Sequence, residues 1–197
     1  QGINPTTSSF TIHEALAINP ANKELFPWLS QIALNFQEYE LHGLMFLYVT
    51  ETPNVATASG LGYLAWVVEY DAYAPAPTSK KDMLNRFWAG MTIPSKNYMA
   101  YAECNPDNKP LTNQLVWEDA FGPVGPPSAY NLGTYYSAGG GQTGITGELG
   151  QMYVVYDCTL RKPRLPEEAP AGWAGAWTFD MIEPPPVGVG APEASAT

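Results

Sequence analysis

The chain has 197 residues, 13% of them aromatic, and carries nineteen Asp+Glu against nine Lys+Arg for a formal net charge of −10. That length suits one domain, or a domain with a tail, and allows a sizeable core; the acidic balance excludes this segment as a phosphate-backbone binder in its own right. Cys104 and Cys158 are too few for a disulfide framework and too widely spaced for a zinc motif, so two buried free thiols are expected, with a single bridge as the alternative; no apolar run is long enough to span a bilayer as a helix, and no signal-peptide pattern follows Gln1.

Abundant Tyr with 18 Gly and 19 Pro suggests many strands joined by turns. Residues 9–18 read as a strand, ended by Asn19-Pro20. Leu25, Trp28, Leu29, Ile32, Ala33 and Phe36 keep i, i+3, i+4 spacing, which predicts one apolar helical stripe. Pro27 fits the first turn of such a helix, where its missing N–H costs nothing. The rhythm then changes. Residues 39–51 form a strand apolar on both faces, so both sides are expected to be covered.

Residues 60–71 alternate more visibly, with Leu64, Trp66, Val68 and Tyr70 on one side and Tyr63, Ala65, Val67 and Glu69 on the other. After a turn-rich break, Thr78 is expected to cap a short helix running to about Phe87. Further strands are predicted within residues 89–93, 98–104, 111–119 and 131–137, and Gly139-Gly140-Gly141 lies in an expected loop over 138–146. The last strand, 148–160, has the cleanest period of two: Met152, Val154, Tyr156, Cys158 and Leu160 against Tyr153, Val155, Asp157 and Thr159. Some eight antiparallel strands, short helices in the connections and no βαβ rhythm predict an all-β, eight-stranded jelly-roll sandwich over residues 1–163. Residues 164–197 form a Pro/Gly/Ala-rich extension, interrupted by GWAGAWTFDM.

Few residues suggest chemistry. His13 and His42 are the only histidines; both fall in strands, and structural roles are expected. Glu69 and Asp71, two apart on a strand, share a face and are the one weak candidate pair for a metal such as Ca²⁺ at a strand end; solvated charges at a sheet margin are the plainer reading. The triple glycine lacks the Lys and following helix of a phosphate loop. Lys80-Lys81 and the Arg161, Lys162, Arg164 group are small basic spots, read as solvated or paired with nearby carboxylates. Trp66, Trp88, Trp117, Trp173 and Trp177 are candidates for stacking on sugars; Trp66 reads as core, whereas Trp173 and Trp177, beyond the last strand, suit an intersubunit contact or a glycan platform. No catalytic or cofactor-binding residue emerges. Residues alone leave self-assembly, a carbohydrate-binding jelly-roll module and a glycosidase or cupin-like enzyme open; the last lacks a histidine cluster.

The stretch INPANKELFPWLSQIALNFQEYELHGLMFLYV, with SSFTIHEAL before it and GLGYLAWVVEYDAYAPAP and GELGQMYVVYDCTLRKPRLP after it in order, resembles the shell domain of tombusvirus-type capsid proteins over about residues 8–163. The resemblance implies a structural, non-enzymatic coat protein that tiles with identical copies into the icosahedral shell of a small non-enveloped virus. It implies residence in the virion, assembly in the host cytoplasm and a genome of single-stranded RNA, with single-stranded DNA as the alternative. It makes Phe26, Pro27 and Trp28 scaffold and subunit-contact residues. Family members bind Ca²⁺ between subunits through an aspartate-rich turn; here the matching positions read Glu69, Asp71 and Ala74, the third ligand is missing, and no cofactor is firmly expected. The family also neutralises its RNA with a basic amino-terminal arm, so such an arm is expected upstream of Gln1.

Overall fold

The computed structural model describes residues 2–52, 60–104, 113–118, 123, 125–143 and 147–164, all within the unit Gln1–Leu165. Nine strands and three short helices follow one another among them: β1 (Gly2–Ile3), β2 (Thr11–Ala17), α1 (Leu29–Ala33), β3 (Phe36–Thr50), β4 (Tyr63–Glu69), α2 (Lys80–Leu84), β5 (Gly90–Thr92), β6 (Tyr98–Ala102), β7 (Gln114–Leu115), α3 (Pro127–Tyr130), β8 (Thr134–Gly140) and β9 (Gly150–Pro163). Every pairing is antiparallel. One sheet has the order β1-β9-β3-β6, with β7 also on β3, and the other β2-β8-β4-β5. The chain crosses repeatedly between the sheets, which is the jelly-roll sandwich expected from sequence. β1 is an additional two-residue strand, and the strand expected within 111–119 is reduced to the two residues of β7.

The core between the sheets is largely aromatic. Phe46 on β3 stacks on Tyr135 of β8 at 3.8 Å, and Trp66 on β4 stacks on Tyr98 of β6 at 3.9 Å. The Tyr98 and Tyr135 hydroxyls lie 2.9 Å apart, and burial pushes the Tyr98 phenol up to about 12. Such pairs add about 0.5–1.5 kcal/mol beyond the area they bury, and their hydroxyls answer one another instead of standing unpaired in the interior. Here the abundant tyrosine has its use.

Strand β3 corrects one expectation. Tyr39, Leu41, Leu44, Phe46 and Tyr48 are buried, but the intervening Met45 and Leu47 look outward and are only partly covered. The strand covered on both faces is β4. Leu64 and Val68 join the main core, whereas Ala65 and Val67 form a second cluster with Tyr136, Ala138 and Met83 of α2. Helix α2 supplies this cover, and its start is fixed by a capping box. Ser79, not Thr78, is the cap: its Oγ accepts from the Asp82 N–H at 3.1 Å, while Asp82 Oδ2 accepts from the Thr78 N–H at 2.9 Å.

The predicted helical stripe also needs correction. Helix α1 spans only five residues, preceded by turns. Leu25, Leu29 and Ala33 are buried as expected, but Trp28 and Ile32 are exposed, and Phe36 already begins β3. So short a helix takes its position from tertiary contacts, and Phe26, outside the stripe, supplies the main one. Its ring is buried edge-on against Tyr156 at 5.0 Å.

Asn19 holds this connection to the sandwich. Its buried side chain donates to the carbonyls of Tyr130 at 2.8 Å and Leu115 at 2.9 Å, and accepts from the N–H of Ala21 at 3.0 Å and of Trp117 at 3.4 Å. The glycine run is a strand end rather than a loop: Gly139 and Gly140 close β8, and only Gly141 lies beyond it. At Gly140 a Cβ would fall 2.4 Å from the Ser9 carbonyl oxygen, so a side chain there would push the neighbouring segment away.

Candidate subunit-contact surfaces

Three apolar surfaces remain exposed on the described part of the sandwich. The first is a groove of about 900 Å³ on the flank where β2 and β9 meet, lined by Leu16, Leu25–Trp28, Met152–Val154 and Tyr156, with Glu14 and Glu24 also at its wall. It exists because β1 pairs only with Gly150 and Gln151, so among the described residues β9 has no strand partner on that side from Met152 onward. The turns before α1 fill part of the gap. Phe26 points into the core at 1% exposure, while Pro27 is exposed and Trp28 stands 67% exposed.

The second surface is a pair of aromatics on the opposite flank. Phe87 and Trp88, between α2 and β5, are 64% and 68% exposed and stack at 5.8 Å. Trp88 has a φ of 55°, a left-handed conformation that side chains rarely adopt. Its base is well anchored: the Arg86 guanidinium donates to Glu69 Oε2 at 2.9 Å and to the Pro75 carbonyl at 2.8 Å.

The third surface is the outer face of the β9-β3-β6 sheet. Cross-strand register aligns Tyr101, Met45 and Val155 in one row and Met99, Leu47 and Tyr153 in the next. Tyr101, Val155, Met99 and Tyr153 are each roughly half exposed. Further along the same face the character changes. Arg161 pairs with Glu40 at 2.6 Å, Lys162 pairs with Glu38, and His42 Nε2 lies 2.8 Å from Thr159 Oγ1. Arg164 donates to the Trp117 carbonyl at 2.7 Å. The basic spot in the sequence is therefore engaged within the chain.

Of the residues singled out from sequence, Phe26, Pro27 and Trp28 gather at the groove. Trp173 and Trp177 lie outside the described residues. Glu69 and Asp71 do not fit a calcium site: Glu69 is tied to Arg86 and accepts from the Asp71 N–H at 3.1 Å, and Asp71 Oδ1 accepts from the Tyr73 N–H at 2.9 Å. Among the described residues no three of His, Cys, Asp and Glu come together as a metal would need. Trp88, a stacking candidate from sequence, is exposed, but sequence reasoning missed Phe87 beside it; two adjacent large aromatics just past a helix end and before Ala-Gly were the available signal. Cys104 and Cys158 are free and half-buried, and burial pushes the Cys158 thiol up to about 12.

Both histidines occupy β-bulges. His13 is the extra residue between Ile12 and Glu14 of β2, and His42 the extra residue between Leu41 and Gly43 of β3. His13 Nε2 is buried with no hydrogen-bond partner, and burial lowers the imidazole pKa below its ordinary 6.5. The unfolded chain takes up that proton near the ordinary value and the folded one only at lower pH. Its contribution to stability is therefore complete above 6.5 and falls as pH drops towards the folded value. The expected result is a melting temperature that declines from pH 7.5 to 5.5, with a shallower decline in His13→Leu. An unchanged slope in that variant would show that the ring charges freely within the fold.

The arrangement offers no reaction centre but several faces that suit protein contact. Comparison with known proteins agrees. The profile of the family described as viral coat protein (S domain) matches residues 3–166. The capsid protein of Cucumber necrosis virus is 29% identical over 153 residues, covering 73% of this chain and 34% of that protein. The capsid protein of Tomato bushy stunt virus (strain BS-3) is 28% identical over 158 residues, covering 76% and 35%. The chain thus spans about a third of the length of the curated relatives it matches. Among solved structures, the crystal structure of Cucumber Necrosis Virus superposes with a TM-score of 0.69 at 25% identity, covering 84% of this chain and 49% of that one. Tobacco necrosis virus superposes with a TM-score of 0.69 at 16% identity, covering 84% and 80%, a likeness of fold.

Proposed function

The chain belongs to the viral coat protein (S domain) family, and from that membership we propose that it builds the icosahedral shell of a small non-enveloped virus around a single-stranded RNA genome. Its work is done by contacts with identical copies and involves no reaction. The observation that carries this reading is the family match over residues 3–166, laid on a jelly roll whose flanks and one sheet face keep large apolar side chains in contact with water. A monomer has no use for such surfaces, whereas a tile buries them against its neighbours. In this reading residues 1–163 are the shell domain and residues 164–197 an extension of it. Pro27 and Trp28, with Trp173 and Trp177, lie in subunit contacts, and Phe26, buried against Tyr156, anchors the segment that carries the first two.

Negative-stain microscopy of the purified protein tests the proposal. Uniform closed particles are expected at neutral pH. A monodisperse monomer across pH and ionic strength would overturn it, and retention of that monomer on a glycan column would favour the carbohydrate-binding alternative.

A further inference from the structure

We propose that the Phe87–Trp88 pair of one copy inserts into the Phe26–Trp28 groove of the next, forming a head-to-tail contact that repeats around the rings of the shell. This inference rests on the shell reading and adds the identity of two contact partners. Three observations converge on it.

The first is position. The groove lies on the flank formed by β2 and β9, and the aromatic pair lies on the flank formed by β5 and β6, where Phe87 and Trp88 neighbour Ala102 and Glu103. Strand orders β2-β8-β4-β5 and β1-β9-β3-β6, stacked so that β8 faces β3 and β4 faces β6, put these flanks at opposite ends of the sandwich. A projection on one flank and a recess on the other cannot meet within one molecule. Between copies they make a heterologous contact, which closes into a ring when the rotation allows.

The second is shape and chemistry. The groove, at about 900 Å³, is ample for two aromatic side chains, given that pockets of roughly 300–1,000 Å³ enclose drug-sized ligands. Its walls are Leu16, Leu25, Pro27, Met152 and Val154, with Trp28 free to stack on an incoming ring. The projecting side is close to neutral, with Lys80 and Lys81 of α2 set against Asp82 and against Glu103 beside the pair, so it brings less negative charge to the groove's Glu14 and Glu24 than the net −10 of the chain would give.

The third is backbone geometry. Trp88 holds a φ of 55°, which glycine would hold at no steric cost. The Arg86–Glu69 ion pair and the Ala89 N–H bonded to the Arg86 carbonyl at 3.3 Å keep it there. An exposed tryptophan kept in a strained turn is being presented outward, and strain of this kind collects at functional sites.

Paired cysteines test the contact in assembled particles. Trp88→Cys combined with Pro27→Cys, treated with a short bis-maleimide, should give a ladder of dimers, trimers and higher species on a denaturing gel. Each single variant and the unsubstituted protein, with only Cys104 and Cys158, should stay monomeric. In parallel, the double variant F87S/W88S should melt at the parental temperature and lose at least tenfold in particle yield. Dimers from Trp88→Cys alone would show that like meets like and would overturn the head-to-tail contact. So would no cross-linking of the pair in intact particles, or a parental yield from F87S/W88S. Failure of the unsubstituted protein to form particles would overturn the shell reading, and this contact with it.

Discussion

Replacing Asn19 with leucine should destabilise the protein by about 3–4 kcal/mol, the largest single-residue effect expected outside the aromatic core. The side chain is fully buried and makes four hydrogen bonds to backbone groups of three separate segments. Leucine fills a similar volume but leaves the Leu115 carbonyl and the Ala21 and Trp117 N–H groups without their partner. The Tyr130 carbonyl keeps one, the Tyr39 hydroxyl at 2.7 Å. Each buried group left unsatisfied costs about 1–3 kcal/mol, partly recovered by local relaxation. For a domain of this size the melting temperature should fall by roughly 10 °C. Asn19→Asp should be nearly as damaging, because a carboxylate cannot donate to the two carbonyls. Thermal unfolding followed by circular dichroism checks both; a leucine variant within two degrees of the parent would show that the backbone groups find other partners.

Phe26→Ala and Trp28→Ala, two residues apart, should fail in different ways. Phe26 is buried against Tyr156, and truncating a buried phenylalanine costs about 3–5 kcal/mol, through lost transfer energy and the cavity left behind. The alanine variant should be poorly folded at 37 °C. Trp28 is largely exposed, and its truncation should change stability by no more than about 0.5 kcal/mol. If Trp28 lies in a subunit contact, its variant folds normally and assembles poorly. Unfolding curves paired with sedimentation of the assembled material separate the two outcomes. Equal melting temperatures for both variants would show that the Phe26 pocket collapses without cost; normal particles from Trp28→Ala would remove that residue from the contact.

Long strands were legible from residue pattern because a strand with one wet face writes its orientation into every second position. Strand β9 shows this best, with Tyr153 and Val155 out and Met152, Val154 and Tyr156 in, as the alternation predicted. Two-residue strands have no period to read: β1 went unseen, and β7 was only bracketed within the predicted strand over 111–119. The helical stripe misled because spacing alone cannot say how far a helix extends; Trp28 and Ile32 obey the rhythm but sit in a connection whose anchor is Phe26. Coverage on both sides was assigned to β3 instead of β4 because Met45 and Leu47 carry apolar side chains that one isolated subunit leaves uncovered. On the shell reading that misreading and the candidate contact surface share one cause, since residues that are buried only against a neighbour look like core in the sequence. The left-handed backbone of Trp88 was illegible for a different reason, since a positive φ in a non-glycine residue leaves no mark in the sequence.

Among the described residues β9 pairs beyond Gln151 with β3 alone, which on the shell reading has a consequence for the unassembled subunit. A strand edge that stays open beside Pro27 and Trp28 is a template for pairing with an extended segment of another chain. On that reading a newly made copy carries an edge that pairs by backbone alone and does not discriminate between sisters and strangers. Prompt association with correct neighbours is then a protection against precipitation as much as a route to the finished particle, and crowding among half-folded copies is the hazard this architecture accepts.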